Sequence, residues 1–441
     1  MRQTSKLKIL SVILTAALIF TGLAPYFTIC EDSYGLQMHE APKMNAGSVV
    51  LMDMGSGKVL YEKNADKVRE PASVTKILNC MVVLENMDLD QEVTISKNVE
   101  TEGSIVGLKP GEKLSVEELI YGMMLVSGND AAEELAKATA GSVSEFCEMM
   151  NERAEECGAE DTNYKNANGL NENKKKLNYT TAIDLALISR EAMKNEKFRE
   201  VVSTSKYTIP KTNKEGKRKL ENSNVCLWLT KEKVKINGQK VPLKYEGCTG
   251  IKTGYTSSAG NCFVGTAKRG GSEFLLVVMG CDTDPARFVD AIKLWNFAFE
   301  NYETYTILRS GKAAYEERVW GGELRDVQIG TNEDFDITVD KGYNGAENVK
   351  TEIVTFEDKV QAPVEEGTIL GQVNAFDENG RQVGSADLYA LESVQKGGPL
   401  SQIGIADEDL PYFYAVAGTL LLIIIVAIIL IVKRKKKPEE E

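Results

Sequence analysis

At 441 residues, with 43% hydrophobic and 27% charged side chains, the chain has room for two globular domains plus topogenic ends, and its composition excludes wholesale disorder. Its formal net charge of −13, with the strongest basic run confined to the extreme C-terminus, repels phosphate backbones and argues against a nucleic-acid partner. The single histidine, His39, cannot build a His-rich metal site and would alone have to supply any Ser-His-Asp triad. No metal or cofactor is therefore expected, and the general base of any hydrolase here is something other than imidazole.

Arg2, Lys6 and Lys8 precede an apolar run over 9–24, the charge-then-apolar order of a secretory signal, and the signal segment is placed at 1–30. Pro25 makes Ala24 a poor cleavage point, and the bulky Ile29 before Cys30 argues against a lipoprotein. The eight cysteines stand singly without a C-x-x-C pair, which excludes zinc ribbons and thioredoxin-like chemistry and leaves mostly buried free thiols.

Strands are expected at 47–52 and 58–61, turned by Gly55-Ser56-Gly57. Pro71 opens a helix that is apolar nearly all round over 77–84 and so belongs in a core. Helices over 116–126 and 130–139 are broken by Ser127-Gly128-Asn129, and another helix covers 180–193. The polar, lysine-rich stretch 195–245 reads as strands and loops. Strands over 251–256, 262–268 and 274–281 form a meander, followed by a helix over 284–300 with Phe288, Ile292, Trp295 and Phe299 at helical spacing. Helices and strands are mixed without strict alternation, which points to an α+β domain over 40–303, an antiparallel sheet with helices packed on it. Short runs broken by Gly, Asn, Asp and Pro suggest a small all-β sandwich over 304–396, then a linker over 397–411. Residues 412–432 carry no charge and suffice to cross a hydrocarbon core of ~30 Å. The Lys433-Arg434-Lys435-Lys436-Lys437 cluster places the tail 433–441 on the cytoplasmic side and residues from about 40 to 405 outside.

Three short motifs stand in order, roughly 50 and 120 residues apart: Ser73-Val74-Thr75-Lys76, Ser127-Gly128-Asn129 and Lys252-Thr253-Gly254. Together they form a recurring signature of serine acyl-enzymes. Each alone is weak, because S-x-x-K recurs at Ser5 to Lys8 and at Ser203 to Lys206, and S-x-N at Ser96 to Asn98. Only Ser73 stands at the head of an apolar helix, with Lys76 one turn on and on the same face. Asn129 or Asp130 also reads as a plain N-cap at a helix junction. A serine hydroxyl is a poor nucleophile until a neighbour takes its proton. Lys76 can do so if burial and the charge of Lys252 lower its pKa. The Ser73 backbone N–H and a strand N–H near Tyr255 would hold the oxyanion, Ser127 would relay the proton to the leaving amine, and Asn129 would orient the substrate amide.

At these residues the chain resembles the low-molecular-mass D-alanyl-D-alanine carboxypeptidases, serine peptidases of the penicillin-binding class. The likeness extends through Glu70-Pro71-Ala72-Ser73, Leu108-Lys109-Pro110-Gly111, Asn168-Gly169-Leu170, Thr180-Thr181-Ala182-Ile183-Asp184-Leu185-Ala186 and Asn222-Ser223-Asn224. It covers about 45–300, and the β domain, with Ala362-Pro363 and Gly367, resembles the family's C-terminal domain. The resemblance implies a catalytic domain of the serine β-lactamase and penicillin-binding fold. It also implies an acyl-serine cycle that removes the last D-alanine from a peptidoglycan stem peptide and is blocked by β-lactam antibiotics. It further assigns Arg287, with Thr253, to the substrate's terminal carboxylate, a task suited to a guanidinium fork, although an exposed arginine on a helix's first turn reads equally well. A class A β-lactamase would need a glutamate where Lys174 stands before Leu177-Asn178. A transpeptidase would share the same serine chemistry, and a wall-binding scaffold would have lost part of the motif set.

Overall fold

The computed structural model describes residues 39–100, 102–170, 177–343 and 349–435, with residues 434 and 435 described by their backbone alone. The signal segment, Cys30, Lys174 and the tail beyond 435 lie outside the described residues.

Strands β1 (Ser48–Asp53) and β2 (Val59–Lys63) begin a five-stranded antiparallel sheet. Helix α1 (Lys76–Asn86) follows a 3-10 turn over Ala72–Thr75, so Ser73 lies in the tight turn and the α-helix itself begins at Lys76, five residues after Pro71, where a continuous helix is expected to open. A hairpin of β3 (Glu92–Thr94) and β4 (Lys113–Ser115) precedes α2 (Val116–Leu125), which Ser115 and Glu118 close with a capping box. Then come α3 (Asn129–Ala140), α4 (Val143–Glu156), α5 (Ala182–Ala192) and α6 (Glu196–Ser203). Helix α4 carries a narrow stripe of Phe146, Cys147, Met150 and Ala154 amid glutamates. Helix α6 corrects the strand-and-loop reading of 195–245: Asn195 caps it, and Phe198, Val201 and Val202 are its only buried side chains. Tertiary burial of so short an apolar face outweighs its polar composition.

After the hairpins β5 (Lys206–Ile209) with β6 (Arg218–Glu221) and β7 (Lys233–Ile236) with β8 (Gln239–Pro242), strands β9 (Cys248–Thr256), β10 (Gly260–Arg269) and β11 (Ser272–Cys281) complete the sheet in the order β2-β1-β11-β10-β9. Its two faces follow the period of two. Leu275, Val277 and Met279 face the core shared with α1 to α6, whereas Phe274, Leu276 and Val278 face α7 (Asp284–Asn301) with Phe288, Ile292 and Trp295. The continuous apolar run of β11 is thus explained by cover on both sides. Strand β9 ends the order, so its outer edge pairs with no further strand of that sheet.

The second β unit contains β12 (Tyr302–Leu308), β13 (Ala313–Trp320), β14 (Asp326–Gly330), β15 (Phe335–Asp340), β16 (Lys350–Thr355), β17 (Val360–Gln361), β18 (Ile369–Phe376) and β19 (Gln382–Ala390). A β12-β15 pair and a six-stranded sheet enclose Val327, Ile329, Ile337, Val373 and Leu388. Polar contacts join this unit to the first. Ser56 Oγ lies 2.5 Å from Thr338 Oγ1, Thr304 Oγ1 donates to Asp53, and His39 Nε2 lies 3.0 Å from Asp340 Oδ1.

Residues 397–409 are docked on the β unit rather than free: Gly397 N–H donates to Gly321 O, Glu408 N–H to Glu323 O, and Arg318 Nη2 to Gly404 O. Helix α8 (Leu410–Lys435) follows, and the stretch Asp407–Lys433 is long and apolar enough to cross a membrane. All seven described cysteines are free thiols, and all but Cys248 are buried.

Candidate active site

The turn that carries Ser73 is held from two sides. Ala72 has φ +51°, a left-handed conformation that costs a non-glycine residue on the order of 1–3 kcal/mol and persists only where its surroundings enforce it. One enforcing surface is Gly254 of β9: a Cβ there would lie 3.1 Å from Pro71 O and from the Ser73 and Val74 nitrogens. The other is Gly169, whose Cβ would fall 1.9 Å from Ala72 O and whose φ is +87°. Both glycines of the family-like motifs therefore mark close backbone approach.

Lys76 opens α1 fully buried, and its Nζ donates to Ser73 Oγ at 3.2 Å, to Asn129 Oδ1 at 2.8 Å and to the backbone carbonyl of Asn168 at 2.6 Å. Burial first, and the charge of Lys252 second, hold its pKa well below the ordinary lysine value, against the opposing pull of Asp130 and Glu133. Lys252, also buried, donates to Thr253 O at 3.0 Å, and burial followed by the charge of Arg287 pushes its pKa down to about 7.

The second motif joins α2 to α3. Ser127 has φ +62°, is buried, and its Oγ has no hydrogen-bond partner among the described residues. Neither capping reading holds in its simple form. Gly128 occupies the N-cap without a side-chain cap, and Asn129 instead links Lys76 to Glu102 O at 2.8 Å. Asp130 accepts from the backbone N–H groups of Val106, Gly107, Leu108 and Ala131, which ties the 106–108 loop to the motif.

Thr253 Oγ1 lies 2.7 Å from Ser223 Oγ, while Tyr255 projects outward and is exposed. Arg287 corrects the exposed-arginine reading. It is buried behind the strand, and its Nη1 donates to Gly254 O at 3.0 Å and Cys262 O at 3.4 Å. Its Nη2 donates to Asp284, and its Nε has no partner among the described residues.

The competing motifs lie elsewhere. Ser203 is exposed at the end of α6 with its Oγ bonded to Arg199 O and Glu200 O, and Ser96 Oγ donates to Glu134 at 2.6 Å. Sequence reasoning gave no role to the Asn168 carbonyl, to Ser223, or to Asp130 as a loop anchor. The first two stand in segments that resemble the family, yet a backbone acceptor has no side-chain signature. Asn178, of the Leu177-Asn178 pair, is structural: its Oδ1 accepts from Lys165 and Asn166 N–H and its Nδ2 donates to Thr75 Oγ1 at 3.1 Å.

Residues 36–283 match the sequence profile of D-alanyl-D-alanine carboxypeptidases, and residues 302–396 match that of the penicillin-binding protein 5 C-terminal domain. The chain is 31% identical over 399 residues to the D-alanyl-D-alanine carboxypeptidase DacF of Bacillus subtilis, covering 89% of this chain and 95% of that protein. It is 31% identical to the D-alanyl-D-alanine carboxypeptidase DacC of Escherichia coli, over 82% of this chain and 87% of that one. Among solved structures, penicillin binding protein 5 from Haemophilus influenzae superposes with a TM-score of 0.65 at 29% identity, over 81% of this chain and all of that one.

Proposed function

The chain belongs to the D-alanyl-D-alanine carboxypeptidase family of serine peptidases, and on that premise we propose that it hydrolyses the terminal D-alanine from peptidoglycan stem peptides through an acyl-Ser73 intermediate, with Lys76 as base. The observation that carries this reading is the 3.2 Å contact between Lys76 Nζ and Ser73 Oγ in a site where the lysine is desolvated. In the neutral amine the same pair runs the other way, with the hydroxyl donating to Nζ.

In acylation a bond forms from Ser73 Oγ to the carbonyl carbon of the penultimate D-alanine, and the hydroxyl proton passes to Lys76. The C–N bond to the terminal D-alanine then breaks, and Ser127 delivers a proton to the departing amine. The unpartnered Ser127 Oγ suits a relay whose second partner is the substrate. The Ser73 N–H and a β9 N–H near Tyr255 hold the oxyanion, each such donor being worth ~10²–10³ in rate. Asn129 holds Lys76 and orients the substrate amide. Lys252, with Thr253, Gly254 and Arg287, forms the positive wall that receives the terminal carboxylate. Water then attacks the acyl-serine and regenerates the enzyme. A β-lactam presents a cyclic amide and a carboxylate to the same groups, and its leaving nitrogen stays tethered, so the acyl-enzyme persists.

Helix α8 anchors the enzyme in the membrane, with the Lys433 end cytoplasmic and the catalytic domain outside. Labelling with a fluorescent penicillin tests the chemistry. Wild type and Ser203→Ala should be labelled and Ser73→Ala should not, with its thermal transition retained. Labelling that persists in Ser73→Ala and disappears in Ser203→Ala refutes the assignment.

A further inference from the structure

Behind the base lies a second row of polar groups. The Asn168 carbonyl that accepts from Lys76 belongs to a residue whose side-chain amide donates to Glu133 Oε1 at 3.0 Å. Glu133 stands on α3 one turn after Asn129, so one helix presents both Asn129 to the ammonium and Glu133 to the Asn168 loop. The loop is stiff. Asn166 Oδ1 accepts from Gly169 N–H at 2.7 Å, Asn168 Oδ1 accepts from Leu170 N–H at 2.7 Å, and Gly169 abuts Ala72, the residue before Ser73.

We propose that Glu133 is a positioning residue for acylation: through Asn168 it holds the carbonyl that aims Lys76 at Ser73, and its carboxylate supplies negative charge behind the base. The inference rests on the Ser73-Lys76 reading above.

The charges that face Lys76 are Lys252 from β9 and Asp130 and Glu133 from α3, and Glu133 itself faces Lys137 at 4.0 Å. Burial and Lys252 drive the proton off Lys76, while the two carboxylates oppose them. Asp130 is already engaged by four backbone N–H groups, which hold it in a loop-anchoring role. Glu133 is the carboxylate that acts through the loop touching Lys76. A base is most effective when its pKa lies near the working pH, and opposing charges of this kind set that balance.

Removing a negative charge near an ammonium lowers its pKa, so the ascending limb of the acylation rate moves to lower pH. Glu133→Gln keeps an acceptor oxygen for Asn168 and removes the charge, whereas Glu133→Ala removes both. The measurement is the second-order rate of acylation by a fluorescent penicillin between pH 5 and 10, on the full chain in detergent.

Glu133→Gln should move the limb down by roughly 0.5–1 pH unit with its plateau within about threefold of wild type. Glu133→Ala should show the same displacement and a plateau about tenfold lower. Glu148→Gln, exposed on α4, should leave both unchanged. An unmoved limb in both Glu133 variants overturns the proposal, as does a plateau in Glu133→Gln that falls as far as in Glu133→Ala. Failure of the underlying Ser-Lys reading looks different, because Lys76→Arg would then acylate normally.

Discussion

Lys252→Met isolates the conflict between stability and chemistry at this site. Lys252 is buried, and burial together with Arg287 brings its pKa from 10.5 to about 7. Between those two pH values the unfolded chain holds a proton on this group that the folded chain lacks, so stability rises with pH across the window. Below pH 7 both states carry the proton and the full penalty of burying the ammonium is present, about 5 kcal/mol. As pH rises toward 10.5 the penalty fades, because the amine is then neutral in both states.

Methionine removes the buried charge while keeping most of the volume, at the loss of one hydrogen bond to Thr253 O worth about 1 kcal/mol. It also relieves Lys76 of a repelling neighbour. Lys252→Met should therefore be more stable than wild type at pH 6 by about 4 kcal/mol, which is roughly 8–16 °C in melting temperature for a unit of this size. The difference should shrink toward zero or change sign by pH 10, while penicillin acylation falls by ~10² or more. Calorimetry of both proteins in detergent at pH 6, 8 and 10 reads the first effect directly. A variant less stable than wild type at pH 6, or a stability difference independent of pH, would falsify the electrostatic account of the site.

Lys76→Arg keeps a positive charge but cannot accept a proton near neutrality, so its acylation rate should fall ~10²–10⁴-fold, while His39→Gln, at the domain junction, should acylate like wild type. Normal acylation in Lys76→Arg, measured with the same labelled penicillin, contradicts a lysine base. Gly254→Ala places a methyl 3.1 Å from the Ser73 nitrogen and should depress acylation at least about tenfold with little change in melting temperature; wild-type kinetics would show that the strand can yield. Truncation after Leu410 should release a soluble enzyme with wild-type acylation, since it keeps the 397–409 contacts with the β unit. Membrane retention of that truncated form would expose another anchor.

Much of this protein was legible from local pattern alone. The apolar helix behind Ser73, the central strands with their period of two and the uncharged run before the lysine cluster each express burial or membrane contact within a few consecutive residues. Scarcity of histidine directed attention to lysine chemistry, and the ordered motifs named Ser73, Lys76, Ser127, Asn129 and Lys252 as candidates. Helix α6 was missed because only Phe198, Val201 and Val202 pay for its formation through burial, and that burial comes from elements distant in sequence.

What only the tertiary structure decided is how residues far apart in the chain alter one another. Asn168 reaches Lys76 across 92 positions through a backbone carbonyl that every residue type possesses. On sequence Arg287 reads equally well as a carboxylate ligand or as an exposed helix residue, and it is the packing of β9 and β10, with the carbonyls of Gly254 and Cys262, that buries it. The depressed pKa of Lys252 depends on exclusion of water and on a second cation 35 residues away in the chain, as the positions 252 and 287 show. Desolvation and Coulomb interaction depend on distances in space, and those distances exist only once the sheet and the helices have packed.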